Sequence, residues 1–207
     1  MSDNRHLGHL GAVYSAKAEE EVAALYDDWA ATYDGEMAVA GYRHPSIGAA
    51  LLARYLAIGS APVLDAGCGT GLLGQWLAIL GYPEVDGLDI SPGMLAVAQK
   101  KEAYARLYCL ALGKTLPIEE QHYAGVISTG VFTTGHVGPE GLDELIRICR
   151  PGGVIVLTVK MAVWDAGFAA RIGELESVEI VEQIATYVSM PGEAGTSPSL
   201  AVVLRRM

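Results

Sequence analysis

The sequence predicts an α/β fold built on a doubly wound, mostly parallel seven-stranded sheet, with an antiparallel hairpin at the C-terminal end. Three observations predict this fold. Short apolar runs alternate with helix-like stretches between residues 61 and 175, which is typical of a parallel sheet. The first run leads into a turn with glycines at positions 67, 69 and 71. Two β-rich stretches, 178–189 and 199–206, flank a Pro/Gly/Ser-rich loop and therefore predict a hairpin.

The N-terminal segment is predicted to be helical after a loose start over residues 1–15. Val22, Leu25, Trp29 and Tyr33 recur at helical spacing with acids between them, so an amphipathic helix is expected over 17–33. A second helix is expected from Pro45 to about residue 57, since proline is favoured in a first helical turn. We assign 1–57 to N-terminal lid and substrate-side helices, and 58–207 to the core of one domain covering 1–207.

Predicted strands and helices alternate through the core. Arg150-Pro151-Gly152-Gly153 is expected to end a helix, because proline and glycine stop helices. The run Val154 to Val159 is continuously apolar, which is typical of a strand covered on both faces. The predicted strands are 61–66, 84–89, 105–110, 123–128 and 154–159, and the predicted helices are 71–80, 92–103, 139–149 and 165–175.

Composition excludes several classes of protein. A hydrophobic fraction of 51% excludes a disordered chain, and a net charge of -10 without a basic stripe argues against a nucleic-acid partner. The three cysteines, Cys68, Cys109 and Cys149, lie in apolar contexts without a CxxC pair, so we expect reduced thiols and no metal site. Without a secretory pattern or a long apolar run, a cytoplasmic monomer or homodimer with no membrane partner is expected.

The glycine turn predicts a nucleotide-type site, and two cofactors fit it. Gly69, Gly71 and Gly74, with Asp89 following 20 residues after the first, match the dinucleotide fingerprint of nicotinamide oxidoreductases. However, the strand ends at Asp65, before the first glycine, and an acid there would repel a pyrophosphate. S-adenosylmethionine carries a sulfonium and an ammonium group but no phosphate, and its ribose diol needs an acceptor such as Asp89. The residues therefore favour S-adenosylmethionine.

Several segments resemble a known family. Val63 to Gly71 resembles motif I of the class I S-adenosylmethionine-dependent methyltransferases, and Gly87 to Leu95 and Arg150 to Gly153 are similar to later segments of that family. Leu25 to Asp34 and Ile127 to Val137 resemble the small methyltransferase-like proteins of the Williams–Beuren deletion region type. The resemblance covers residues 20–206. It implies a Rossmann-like fold and a methyl transfer that leaves S-adenosylhomocysteine.

The resemblance also implies the cofactor contacts. Gly67, Cys68 and Gly69 would lie under the methionine and ribose, and Asp65 near the ammonium group. Asp89 would hold the ribose hydroxyls. The remaining contacts implied by the resemblance are Ile90 and Met94 against adenine, Ala111 and Leu112 as backbone partners of adenine, Thr129 and Gly130 facing the ammonium and the acceptor, and Tyr26, Trp29 and Tyr33 as a lid. For the three aromatic residues, ordinary helix packing is the alternative.

One position departs from the family pattern. Such enzymes often carry an acid after the third strand to accept the adenine amino group, and this chain has Ala111 there. A lost hydrogen bond costs about 1 kcal/mol. This departure supports a second hypothesis, an S-adenosylmethionine-binding protein that does not transfer methyl or that catalyses another reaction.

A general base is needed only if the acceptor arrives protonated. His136, in a Gly-rich loop beyond the fourth strand, is the first candidate, and a hydrogen-bonded loop histidine is its alternative; His44 and Tyr14 are further candidates. The chain lacks an Asn/Asp-Pro-Pro-aromatic run and a Pro-Cys pair, which argues against nucleobase methylation. A small-molecule methyl acceptor is therefore expected.

Overall fold

One seven-stranded sheet organises the described part of the chain. The computed structural model describes residues 5–16, 18–134, 137–193 and 196–207. The strand order is β3-β2-β1-β4-β5-β7-β6; β1 to β5 pair in parallel, and β7 pairs antiparallel with both β5 and β6. The strands are β1 Val63–Ala66, β2 Val85–Asp89, β3 Arg106–Cys109, β4 Tyr123–Phe132, β5 Cys149–Lys160, β6 Val178–Gln183 and β7 Ser199–Arg206. The predicted fold class and C-terminal hairpin are confirmed.

Helices precede the sheet and connect its strands. They are α1 Arg5–Ser15, α2 Glu19–Trp29, α3 Tyr33–Ala40, α4 His44–Tyr55, α5 Leu72–Leu80, α6 Pro92–Gln99, α7 Gly141–Ile148, α8 Met161–Val163 and α9 Ala169–Glu174, with a π-helical turn at Trp164–Phe168 before the last. In α6, the Ser91 hydroxyl accepts a hydrogen bond from the Met94 N–H at 3.0 Å and so caps the helix. No helix among the described residues is long and apolar enough to cross a bilayer.

The N-terminal prediction is wrong in two places. Residues expected to be loose form α1, although Gly8 and Gly11 disfavour a helix. Val13 is fully buried against Val22 and Trp29, and this packing outweighs the poor local propensity.

The single helix expected over 17–33 is in fact two helices. The first, α2, ends at Trp29, and α3 begins at Tyr33. The side chain of Asp34 at the start of α3 accepts a hydrogen bond from Thr70, and the Lys101 Nζ lies 2.6 Å from its other oxygen. These core contacts fix a change of direction that helical periodicity alone does not reveal.

Strand β4 is longer than predicted. The chain was expected to leave the sheet at residue 128, but β4 continues to Phe132 with a register shift against β5 between Ser128 and Phe132. The Gly130 N–H donates to the Thr158 hydroxyl at 2.8 Å, which holds this irregular stretch on β5. Thr129 and Gly130 therefore lie within the strand and not past it. Strand β5 also begins earlier than predicted, at Cys149. Strand β6 ends at Gln183 and not at 189 as expected, and the other boundaries agree to within about one helical turn.

Both faces of the sheet are covered by apolar side chains. One face contains the buried Leu64, Leu88 and Phe132, and the other contains Val63, Leu77 and Ile127. A third cluster joins α1, α2 and α3 to Met94 on α6. The N-terminal helices are thereby held over the carboxyl edge of the parallel strands, where ligands bind in folds of this class.

Candidate active site

In the turn after β1, main-chain atoms without a side chain lie close to neighbouring residues. The N–H groups of Gly67 and Cys68 both donate to the Leu88 carbonyl, at 2.7 and 2.9 Å. Gly67 has φ +83°, and a Cβ at this position would lie 2.1 Å from a methyl carbon of Val131. Only glycine fits here, because the backbone is left-handed and the space is already filled.

Asp89 ends β2 beside this turn. Its Oδ2 accepts from the Gly69 N–H at 2.8 Å, and its Oδ1 accepts from the Ser91 N–H at 2.9 Å. Burial raises the pKa of this carboxyl, against the lowering effect of these hydrogen bonds. Each carboxylate oxygen retains a second acceptor position. The side chain is therefore fixed in place and can still accept hydrogen bonds from a diol.

A cavity of about 360 Å³ opens over the carboxyl edge of the sheet. Of the residues predicted from the sequence to contact a cofactor, the structure brings together around it Tyr26, Tyr33, Gly67, Gly69, Asp89, Ile90, Met94, Ala111, Leu112, Thr129 and Gly130. The lining residues that sequence reasoning missed are Ala18, Glu19, Val22, Tyr42, Leu88, Leu110, Gly113, Lys114, Val131, Val137 and Glu140. The site thus combines the glycine turn, an acidic strand end and an aromatic cover from the N-terminal helices.

Comparison with known proteins points to one family. A family model described as a methyltransferase domain matches residues 63–153, from β1 into β5. Methyltransferase-like protein 27 from Homo sapiens is 37% identical over 139 residues, which are 66% of this chain and 56% of that protein. The matched residues belong to a methyltransferase domain of the class I S-adenosylmethionine-dependent type.

Two further comparisons agree with this membership. A malonyl-[acyl-carrier protein] O-methyltransferase from Serratia marcescens is 32% identical over 144 residues, which are 70% of this chain and 54% of that protein. The crystal structure of a TehB-like SAM-dependent methyltransferase from Corynebacterium glutamicum superposes with a TM-score of 0.67 at 20% identity, covering 89% of this chain and 99% of the other, and shows the shared fold. The chain spans about half the length of the curated relatives named here.

The site fits S-adenosylmethionine, the cofactor of the class I methyltransferases. The carboxylate of Asp89 suits a ribose diol, and the described residues include no cluster of His, Cys, Asp or Glu that could hold a metal ion. Ala111 and Leu112, after β3, line the cavity and offer backbone and apolar surface. The individual cofactor contacts remain predictions.

Three residues with predicted cofactor contacts lie behind the cavity lining. The Asp65 Oδ2 accepts from the Tyr104 hydroxyl at 2.7 Å, while its buried Oδ1 has no partner among the described residues. Burial raises the pKa of Asp65 to about 7. Cys68 is buried, and burial raises the pKa of its thiol. Trp29 is fully buried, and its Nε1 donates to Glu36 at 2.8 Å.

Of the three candidate general bases, the structure describes the side chain of His44. His136 lies outside the described residues, as does the side chain of Tyr14. His44 is 3% exposed, and its Nδ1 lies 2.7 Å from the Tyr187 hydroxyl. Burial, followed by the charge of Lys160, lowers the pKa of His44 to about 3. His44 is therefore neutral at physiological pH, and its position next to Gly130 is a feature that the sequence did not reveal.

Two acids of the N-terminal helices make contacts that sequence reasoning missed. The Asp27 Oδ1 accepts from the Gly93 N–H at 2.7 Å and from the Ser91 hydroxyl, so it attaches α2 to the start of α6. Asp34 attaches α3 to Thr70 and Lys101. Both acids belong to the segment from Leu25 to Asp34 that carries the family resemblance. The aromatic residues of that segment suggested a lid, and its acids are the anchors.

The mouth of the cavity carries an ion pair. The Lys114 Nζ lies 2.6 Å from a carboxylate oxygen of Glu19, and both side chains line the cavity. The pair connects α2 to the loop that follows β3. Because the side chains of Lys114 and Glu19 are 64% and 38% exposed, the contribution of the pair to stability is small.

Proposed function

We propose that this protein transfers the methyl group of S-adenosylmethionine to a small-molecule acceptor. The observation that carries the proposal is the cavity formed by the Gly67 turn, the Asp89 carboxylate and the aromatic residues of the N-terminal helices. When bound, S-adenosylmethionine supplies an electrophilic methyl group on a sulfonium. Asp89 binds the ribose hydroxyls, and the Gly67 turn allows the ligand to lie against the main chain.

The cover from the N-terminal helices has a chemical role. Tyr26 and Tyr33 line the cavity opposite Gly67 and the stretch Thr129-Gly130. Methyl transfer is an in-line displacement, which depends on holding two groups in the correct geometry in a site that excludes water. The aromatic cover supplies that exclusion, and an aromatic wall favours an acceptor that is partly apolar.

Two features support a small acceptor. The chain carries a net charge of -10, which disfavours long anionic partners such as nucleic acids. Relatives named as malonyl-[acyl-carrier protein] O-methyltransferases suggest an acid as acceptor, either free or on a carrier. We further propose that the protein acts in the cytoplasm, as a monomer or homodimer.

Calorimetric titration with S-adenosylmethionine, S-adenosylhomocysteine and NAD(H) tests the proposal. Both adenosyl ligands are expected to bind at micromolar concentration and NAD(H) not to bind. Asp89→Ala is expected to weaken binding at least about 100-fold, because two hydrogen bonds to a charged group are lost. Glu193→Ala is the control, since this acid lies away from the cavity.

Isotope transfer then separates the two hypotheses that remain. Transfer of label from methyl-labelled S-adenosylmethionine to a member of a small-molecule panel supports the proposal. Binding of both adenosyl ligands without transfer to any member favours the second candidate, a non-methylating protein, which the lost acid at Ala111 supports. Absence of adenosyl binding would overturn both.

A further inference from the structure

A second, smaller cavity lies under the aromatic cover. Its volume is about 30 Å³, close to that of a single small polar group. Tyr26, Tyr33, Tyr42 and Gly130 border both this cavity and the larger one. The small cavity is therefore a side chamber of the candidate active site, on the side of β4 and β5, away from Asp89.

Lys160 contributes a buried positive charge to this side chamber. It ends β5, it is 4% exposed, and its Nζ donates one hydrogen bond to the Ser197 carbonyl at 2.8 Å. Within the described ranges, no carboxylate lies within ion-pair distance of this ammonium group. Burial lowers its pKa, since the charged form has lost water without gaining an anion. A lysine ammonium has three donors, so two remain for a ligand.

Two further polar groups face the same chamber. The Ser189 hydroxyl is fully buried and has no hydrogen-bond partner among the described residues. His44 also lines the chamber, and its Nδ1 is held by the Tyr187 hydroxyl. Buried polar groups in folded proteins are normally hydrogen-bonded, and exceptions call for an explanation. A ligand that accepts hydrogen bonds explains the unused donors of Lys160 and Ser189, and His44 lies beside them.

We propose that Lys160, Ser189 and His44 form a subsite that binds a carboxylate of the methyl acceptor. The inference rests on the proposed function and names its substrate class, a small carboxylic acid. A single ammonium group matches a singly charged anion. The small volume suits the two oxygens of a carboxylate better than a phosphate. The position beside Gly130 brings the bound acid to the acceptor side of the larger cavity.

Matched pairs of acids and amides test this subsite. The protein is titrated with benzoate and benzamide, and with hexanoate and hexanamide, in the presence and absence of S-adenosylhomocysteine. Each acid is expected to bind at least about tenfold more tightly than its amide, as expected for a hydrogen bond to a charged group. Lys160→Met is expected to abolish this preference, and Ser189→Ala to reduce it about threefold.

The control is Lys100→Met, which removes an exposed lysine directly after α6 and is expected to keep the preference for acids. Equal binding of acid and amide by the unmodified protein would overturn the subsite, as would a preference that survives in Lys160→Met. The affinity for S-adenosylhomocysteine is expected to be unchanged in Lys160→Met. A tenfold loss would assign Lys160 to the cofactor carboxylate and would also overturn the proposal.

This design separates the two proposals. If S-adenosylhomocysteine does not bind the unmodified protein, the proposed function fails, whatever the acids do. If it binds and the acids show no preference, only the carboxylate subsite fails.

Discussion

The two sides of the active-site cavity are built in different ways. On the side of β1 and β2, the proposed ligand contacts come from backbone at the Gly67 turn and from Asp89, which is fixed by two N–H groups. On the side of β4 and β5, the proposed contacts come from side chains such as Lys160 and His44 that belong to distant parts of the chain. The first side is formed by residues that are close in sequence. The second side forms only when the fold brings distant residues together.

We expect this difference to separate cofactor binding from acceptor choice. A turn built from main-chain groups and glycines lets a ligand lie against the backbone without depending on particular side chains. The second side is formed by individual side chains from α4, β5 and the loop before β7, and each of them can be substituted without altering the others. The identity of the acceptor is therefore expected to depend on the second side, and each prediction below alters one side and leaves the other intact.

The largest expected effect concerns Asp65, which lies beneath the first side. Burial raises its pKa from the ordinary value of 3.8 to about 7. The folded state then holds a proton that the unfolded state has released, so this group's contribution to stability falls as pH rises from about 4 to 7. At 1.36 kcal/mol per pKa unit, the loss reaches about 4 kcal/mol as an upper bound.

Asp65→Asn is expected to remove that loss, since an amide does not titrate and its oxygen still accepts from Tyr104. Denaturant unfolding of both proteins between pH 4 and 8 measures the difference, which should grow in favour of the variant as pH rises. Glu144→Gln is a control in which stability changes with pH in the opposite direction. The hydrogen bond from Arg147 lowers the pKa of Glu144, so its contribution is lost as pH falls. If the difference in unfolding free energy between the unmodified protein and Asp65→Asn does not change with pH, the raised pKa of Asp65 is contradicted.

The second effect concerns the space at Gly67. Gly67→Ala is expected to cost about 3 kcal/mol of unfolding free energy, from left-handed backbone strain together with overpacking against Val131. Gly59→Ala separates the two causes, because Gly59 has φ +87° but nothing within 4 Å of an added Cβ. It is expected to cost about 1 kcal/mol. Equal losses in the two variants would show that close packing at the turn is unimportant.

The sequence predicted the strand, the turn and Asp89 of the first side, although Asp65 and Cys68 lie behind the cavity lining. The strand, the turn and the acid at the end of β2 are set by local spacing, so their neighbours in space are near in sequence. The second side depends on pairs such as His44 with Tyr187, separated by 143 positions, which no local pattern encodes. The extension of β4 through Gly130 was missed for the same reason, because a bond to Thr158 on the next strand fixes it.

The smallest expected effect concerns the connection between the two sides, through the N-terminal helices that cover both. Asp27 attaches α2 to α6 by accepting from the Gly93 N–H and the Ser91 hydroxyl, at a helix N-terminus that favours negative charge.

Asp27→Ala is expected to cost about 1 to 2 kcal/mol of unfolding free energy. Because the loss falls on the attachment of the cover, amides of α2 should exchange with solvent about tenfold faster while those of β4 and β5 stay protected. Asp28→Ala provides the matched control, because this neighbouring acid is exposed to solvent. If hydrogen exchange of α2 were the same in both variants, the cover would be held by apolar packing around Trp29 alone, and the acids of this segment would lose their role as anchors.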